Sequence, residues 1–274
     1  MNYRDHISNL PRELLAVTGN GVTVAILDTG INSNHSDFAQ IFRNNAFNFT
    51  TSPHSEIDVN GHGTHIAGLI GARGHQETGI NGVANGCNLV SLKVINDNGS
   101  TSATNLDKAL RHIISNPHIQ IANLSMSINS LRYNIIENSL TNLINSQRTV
   151  VASAGNNDEL EEHTELLCPA NKPGIFAVGA VRRDFIVSHP NFRFNPKLDF
   201  LFVEDDLISC GIPNSSYVNN KGCSQSAALL SGIITLIKNM HPDYDYMHIK
   251  NYLSSFAVPY GSDSSINNFT LIKP

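Results

Sequence analysis

Apolar residues in this chain gather in short, unbroken, β-branched runs, separated by segments with helical spacing. Val22-Thr23-Val24-Ala25-Ile26-Leu27 is the first such run, and it predicts a strand buried on both faces. Cys87–Ile95, Ile119–Ser127, Thr149–Asn156 and Ile175–Val181 predict four more, and residues 198–209 hold one or two others. Helices are predicted over about Thr104–Ser115, ended by Pro117, and over Leu131–Ser146. Near the start, residues 5–17 suit an amphipathic helix anchored by Ile7, Leu10, Leu14, Leu15 and Val17, broken or restarted at Pro11. Residues 41–60 read as loop, and residues 241–274 as one short helix with a polar tail. Strands alternating with helices imply an α/β fold, a mostly parallel sheet with helices on both faces. With no internal repeat, low-complexity tract or linker, residues 1–274 read as one domain.

Composition narrows the partners. Apolar content of 41% and charged content of 15% suit an ordinary globular protein. A net charge of −5 without a basic run argues against nucleic acid. No apolar stretch has the length of a membrane span, so no membrane is expected. The opening Met-Asn-Tyr-Arg-Asp-His-Ile is polar, unlike a secretory signal. Cys87, Cys168, Cys210 and Cys223 lack metal-ligand pairing and read as reduced thiols of a cytoplasmic protein.

Candidate chemistry sits where the predicted elements begin and end. The first strand closes on Asp28-Thr29-Gly30, and the carboxyl end of a buried parallel strand is where open α/β sheets carry functional groups. The same aspartate could equally cap a turn. Gly61-His62-Gly63-Thr64-His65 opens a small-residue segment suited to a tightly packed helix. His62 and His65 are three apart on one face, but the glutamate of a metalloprotease helix is missing beside them, so a metal pair is disfavoured. Ala154-Gly155-Asn156 closes the fourth strand. Gly222-Cys223-Ser224 runs into the apolar segment Ala227–Ile237, which places Ser224 at a helix N-terminus where negative charge is favoured.

These blocks, in this order, resemble the subtilisin-like serine proteases, from about Val22 to Ile237. Lesser matches are Gly82-Val83-Ala84, Asn123-Leu124-Ser125 and Pro196-Lys197-Leu198-Asp199. The resemblance implies a three-layer subtilisin-like fold and a serine endopeptidase. It implies Ser224 as nucleophile, His62 as general base and acid, Asp28 as its orienting carboxylate, and Asn156 as an oxyanion donor. It also implies a peptide or protein substrate aligned along Asn98, Gly99, Ser100 and Thr101 on one edge and Ser125, Met126 and Ser127 on the other. Ala154, Gly155 and Leu167 would line the pocket for the residue before the cleaved bond. No cofactor is required, though many relatives hold a structural calcium. Asp37 matches its carboxylate, and Gln76–Ile80 its loop.

Several positions depart from the family pattern Gly-Thr-Ser-Met-Ala-x-Pro: Cys223, Gln225, Ser226 and Ala228 replace Thr, Met, Ala and Pro. Cys223 reads as a small buried hydrophobe. Ser127 and Thr101 stand where glycine is common and would narrow the cleft. Leu167, also at a glycine position, predicts a shallow pocket for a small or medium apolar side chain. The acidic run Asp158–Glu162 reads as a solvated face, with recruitment of a basic substrate residue as the alternative. The family's inhibitory prodomain is not apparent, so an intracellular processing or effector protease, with a regulatory protein partner, is expected; a trimmed mature form would instead be secreted. A second reading of the same residues is a catalytically silent peptide-binding relative. A Gly-x-Ser-x-Gly esterase elbow fits badly, because residue 226 is serine.

Overall fold

A computed structural model describes residues 1–7, 9–38, 45–54, 57–74, 79–128, 132–156, 167–182, 197–204, 206–213, 215–260 and 263–270. In chain order the elements are α1 (Tyr3–His6), α2 (Arg12–Leu15), β1 (Thr23–Asp28), β2 (Ala46–Asn48), α3 (His62–Gly71), β3 (Asn88–Lys93), α4 (Ala103–Ser115), β4 (Ile121–Leu124) and α5 (Tyr133–Asn145). There follow β5 (Thr149–Ser153), β6 (Ile175–Arg182), β7 (Phe200–Glu204), β8 (Leu207–Cys210), β9 (Tyr217–Asn220), α6 (Cys223–Met240), α7 (Tyr246–Ser254), β10 (Val258–Tyr260) and β11 (Asp263–Thr270).

Nine strands form one sheet in the order β10-β11-β7-β6-β5-β4-β1-β3-β2, parallel throughout except for the β10–β11 pair. Alternation along each strand divides its side chains between two cores. Val24 and Ile26 of β1, Ile121 of β4 and Val151 of β5 join the core that holds α3, α6 and α7. Ala25, Leu27, Ala122, Leu124, Val150 and Ala152 join the core under α4 and α5. The result is the predicted three-layer arrangement. The amphipathic helix α4 faces its layer with Leu106, Ala109, Leu110 and Ile113, and Ser102 caps it by accepting the Asn105 N–H at 3.1 Å. By contrast α6 is buried along nearly its whole length, in keeping with a sequence that is apolar on every side.

Three expectations need correction. The helix restarts after Pro11 as expected, but its first part, α1, already begins at Tyr3 and ends at His6, and Leu15 is exposed rather than an anchor. The loop over 41–60 contains an edge strand, β2, paired in parallel with β3. The polar tail carries β10 and β11, and β11 extends the main sheet by pairing with β7. Among the described residues, no helix is long and apolar enough to cross a membrane.

Candidate active site

The carboxyl ends of β1, β4 and β5 and the N-termini of α3 and α6 carry the candidate groups. Asp28 ends β1 with no solvent exposure. Its Oδ1 accepts the Thr29 N–H at 2.7 Å and lies 2.8 Å from His62 Nδ1. Asp28 Oδ2 is buried with no hydrogen-bond partner among the described residues, which leaves the carboxylate's charge directed at the imidazole. A carboxylate can only accept, so His62 Nδ1 carries the hydrogen and Nε2 keeps its lone pair when the ring is neutral. Burial lowers the His62 pKa, but attraction and hydrogen bonding from Asp28, with added attraction from Asp58, outweigh it and leave the pKa raised.

This approach depends on Gly63. A Cβ there would run into the Gly30 carbonyl oxygen and close on Asp28, so only glycine lets α3 lie this near the end of β1. The first turn of α3 is then held by a residue that no local pattern singles out. Asp58, 3% exposed, accepts from Thr29 Oγ1, Asn60 N–H and Gly61 N–H at Oδ1, and from Thr64 N–H and Oγ1 at Oδ2. The Gly63 N–H donates to Thr29 Oγ1 and the His62 N–H to Asn60 Oδ1, so the orphan amides of this helix start are satisfied. Nothing but its place in a Gly/Asn-rich stretch before a histidine marks Asp58 in the sequence.

His65 plays a different part. It is buried, its Nε2 faces the Leu207 carbonyl at 3.1 Å, and burial lowers its pKa to about 4. The two histidines therefore point to different partners and form no metal pair.

At the other helix start, Gly222 adopts φ 124°, a conformation that disfavours a side chain, and a Cβ there would meet the Asn156 amide. Asn156 Oδ1 accepts the Cys223 N–H at 3.2 Å, which leaves Asn156 Nδ2 to donate elsewhere. Ser224 is the second residue of α6. Its Oγ donates to the Ser125 carbonyl at 3.1 Å, while Ser125 Oγ donates to the Ser224 carbonyl at 2.7 Å. Asn123 Nδ2 donates to Ser125 Oγ and Ser231 Oγ to Asn123 Oδ1, so a buried neutral network ties the end of β4 to α6. Cys223 is buried as expected, with Sγ 3.4 Å from the Gly155 carbonyl. Gln225, Ser226 and Ala228 are buried as well.

Around this centre, Asn98, Gly99 and Ser100 are exposed, and Thr101 pairs with Ile95. Met126 is buried and Ser127 half-buried at the end of β4. Leu167 donates its N–H to the Ala154 carbonyl at 3.3 Å, and Ile128 pairs with Cys168, so the expected pocket segments do come together. The acidic run Asp158–Glu162 and residues 76–78 of the expected calcium loop lie outside the described residues. Asp37 Oδ2 accepts from the Ile80 N–H at 2.9 Å and the Tyr217 hydroxyl at 3.0 Å, with Cys210 Sγ at 4.0 Å. Calcium takes a cage of oxygen acceptors. Donors and a thiol around Asp37 do not make one, so the described residues here do not fit calcium.

A parallel α/β sheet with an aspartate, a histidine and a serine at three element ends, in that chain order, defines the class of subtilisin-like serine proteases. Residues 19–269 match the model of the subtilase family, and the chain belongs to that family. Subtilisin Savinase of Lederbergia lenta is 31% identical over 247 residues, covering 90% of this chain and 87% of its own. An alkaline protease of Alkalihalobacillus alcalophilus is 31% identical over 90% of this chain, which spans 61% of that protein. An intracellular serine protease of Paenibacillus polymyxa is 30% identical over 227 residues, 81% of this chain and 68% of its own. In fold, the crystal structure of a cold adapted subtilisin-like serine proteinase superposes with a TM-score of 0.74 at 23% identity, covering 94% of this chain and 90% of that one.

Proposed function

We propose that residues 1–274 work as a single peptidase unit that hydrolyses peptide bonds through Asp28, His62 and Ser224. The observation that carries this reading is the 2.8 Å contact between His62 Nδ1 and the fully buried Asp28, which directs the lone pair of Nε2 outward. Ser224 Oγ attacks the scissile carbonyl as His62 Nε2 takes its proton. The imidazolium that forms is stabilised by Asp28 and then protonates the leaving amine. Water, activated by the same imidazole, releases the acyl group and restores the serine. Asn156 Nδ2 and the Ser224 N–H donate to the tetrahedral oxyanion, supported by the N-terminal dipole of α6. Every proton and charge in this sequence of steps is assigned to a side chain or backbone group, so no cofactor is invoked.

The extended substrate would pair with Asn98–Thr101 on one side and Ser125–Ser127 on the other, with Leu167 shortening the pocket beside Ala154 and Gly155. Four buried cysteine thiols, none in a disulfide among the described residues, and the likeness to a protease named as intracellular support a cytoplasmic processing or effector role, with a regulatory protein partner.

One observation favours a second reading, a silent peptide-binding protein: Ser224 Oγ rests on the Ser125 carbonyl rather than on His62. Catalytic hydrogen bonds often close only when substrate binds, so this geometry is compatible with an enzyme. A fluorophosphonate probe separates the two. Labelling of the wild type and not of Ser224→Ala is the expected result, and an unlabelled, folded wild type leaves the binding reading in possession. Mass-spectrometric profiling of a peptide library, with Ser224→Ala as control, then reads out the cleavage preference.

A further inference from the structure

The loop Asn96–Thr101 is anchored from beneath by groups outside the proposed catalytic and binding set. Lys93 ends β3 beside Asp28 in the sheet register, and its side chain is fully buried. An ammonium has three protons, and Lys93 Nζ meets three acceptors: the Thr29 carbonyl at 2.8 Å, the Ile57 carbonyl at 2.9 Å and Asp97 Oδ1 at 2.6 Å. The second oxygen of Asp97, Oδ2, lies 2.6 Å from His54 Nδ1. The Asp97 N–H donates to Ser52 Oγ at 3.0 Å, and Ser52 Oγ in turn to Asn96 Oδ1 at 3.4 Å.

Above this anchor the loop folds on itself. The Asn96 N–H donates to the Ser100 carbonyl at 2.7 Å and the Gly99 N–H to the Asn96 carbonyl at 2.9 Å. Asn98 Oδ1 accepts from both the N–H and the Oγ of Ser100. Asn98, Gly99 and Ser100 are exposed and have little packing of their own, so their position rests on the turn and on what holds Asp97.

We propose that His54 and Asp97, seated on the buried Lys93, are positioning residues that hold the Asn98–Thr101 edge in register for an extended peptide. This rests on the reading of that loop as a substrate edge. Lys93 is the fixed half of the brace, bonded to the residue that follows Asp28. His54, with its side chain 56% exposed, is the outer half and the one that can be removed without opening the core.

His54→Ala tests it with two substrates, a tetrapeptide amide that reaches the loop and a single-residue ester that does not. The expected result is a KM for the tetrapeptide raised about three- to five-fold, the scale of an exposed charged contact, with kcat within about two-fold. Ester hydrolysis stays unchanged, and His54→Gln, which keeps a donor for Asp97, recovers most of the lost affinity. Equal effects on both substrates, or none on either, overturn the proposal. Hydrogen exchange needs no turnover: the amides of Asn96 and Gly99 should exchange about five-fold faster in His54→Ala. Unchanged exchange overturns the brace while leaving the protease reading intact. A wild type that neither labels with fluorophosphonate nor cleaves peptides overturns the protease reading, and the substrate-edge role with it.

Discussion

Two helix starts meet at the site, and they are built from opposite materials. The start of α3, which carries His62, is organised by the charged carboxylate of Asp58, buried and saturated by hydrogen bonds from Thr29, Asn60, Gly61 and Thr64. The start of α6, which carries Ser224, is organised by the neutral groups of Asn123, Ser125, Asn156 and Ser231. Neither helix has an acidic residue in its first turn. A helix N-terminus carries about half a positive charge. At α3 that charge is met by Asp58, whose field also favours the imidazolium that His62 becomes. At α6 no acidic residue of the helix's own first turn meets it, where the proposed oxyanion would need it. The difference suits the proposed mechanism, in which His62 gains a positive charge and the oxyanion at α6 a negative one.

The largest effect is expected from Asp58→Ala. It strands several buried donors at once, and a loss of about 3–5 kcal/mol in chemical denaturation is expected, well above a typical surface change. On the α6 side, Asn156→Ala removes a donor without touching a charge. It should lower kcat by roughly 10²-fold or more with KM little changed, and lower the denaturation midpoint only slightly, because its side chain is exposed and, among the described residues, makes one hydrogen bond, from the Cys223 N–H. A large KM change with kcat preserved would instead make Asn156 a substrate-binding group. The finest test is pH. Only neutral His62 can act as base, so activity falls as pH drops through its raised pKa, and the acid limb of kcat/KM should lie above the ordinary imidazole range. Asp58→Asn keeps most of the hydrogen bonds and removes the charge, so the limb should move to lower pH. A limb that stays put would mean that Asp58 acts on α3 by shape alone.

Much of this centre could be read from the chain. Asp28, His62, Asn156 and Ser224 each sit at the boundary of an element with a strong pattern of its own, so position and chemistry pointed the same way. Asp58 could not be read, because an acid in Asp-Val-Asn-Gly looks like a solvated loop residue until the fold brings Thr29 to it from 29 residues away. Asn123 belongs to a block that carries the family resemblance, but its tie to Ser231 was hidden for a related reason. Both lie on apolar elements, and their pairing is a contact between β4 and α6 that no local period encodes. The C-terminal strands were missed because Ser-Ser-Ile-Asn-Asn lacks the apolar run of a central strand. Its place at the margin of the sheet, between β7 and β10, asks for less. The ends of α4 and α5 lie within two residues of the expected ones, a margin set by hydrogen bonding and hydrophobic period that need not stop together.

The hydrogen bonds that assemble this centre join residues far apart along the chain: 34 positions between Asp28 and His62, 67 between Asn156 and Cys223, and 99 between Ser125 and Ser224. Contacts of such long range form only after the intervening loops have closed. A growing or partly folded chain, or a piece cut from it, would hold the proposed nucleophile without its base or its oxyanion donor. Hydrolytic competence would thus arrive with the finished fold, and the chain's own unfolded copies would meet the enzyme only once one copy was complete.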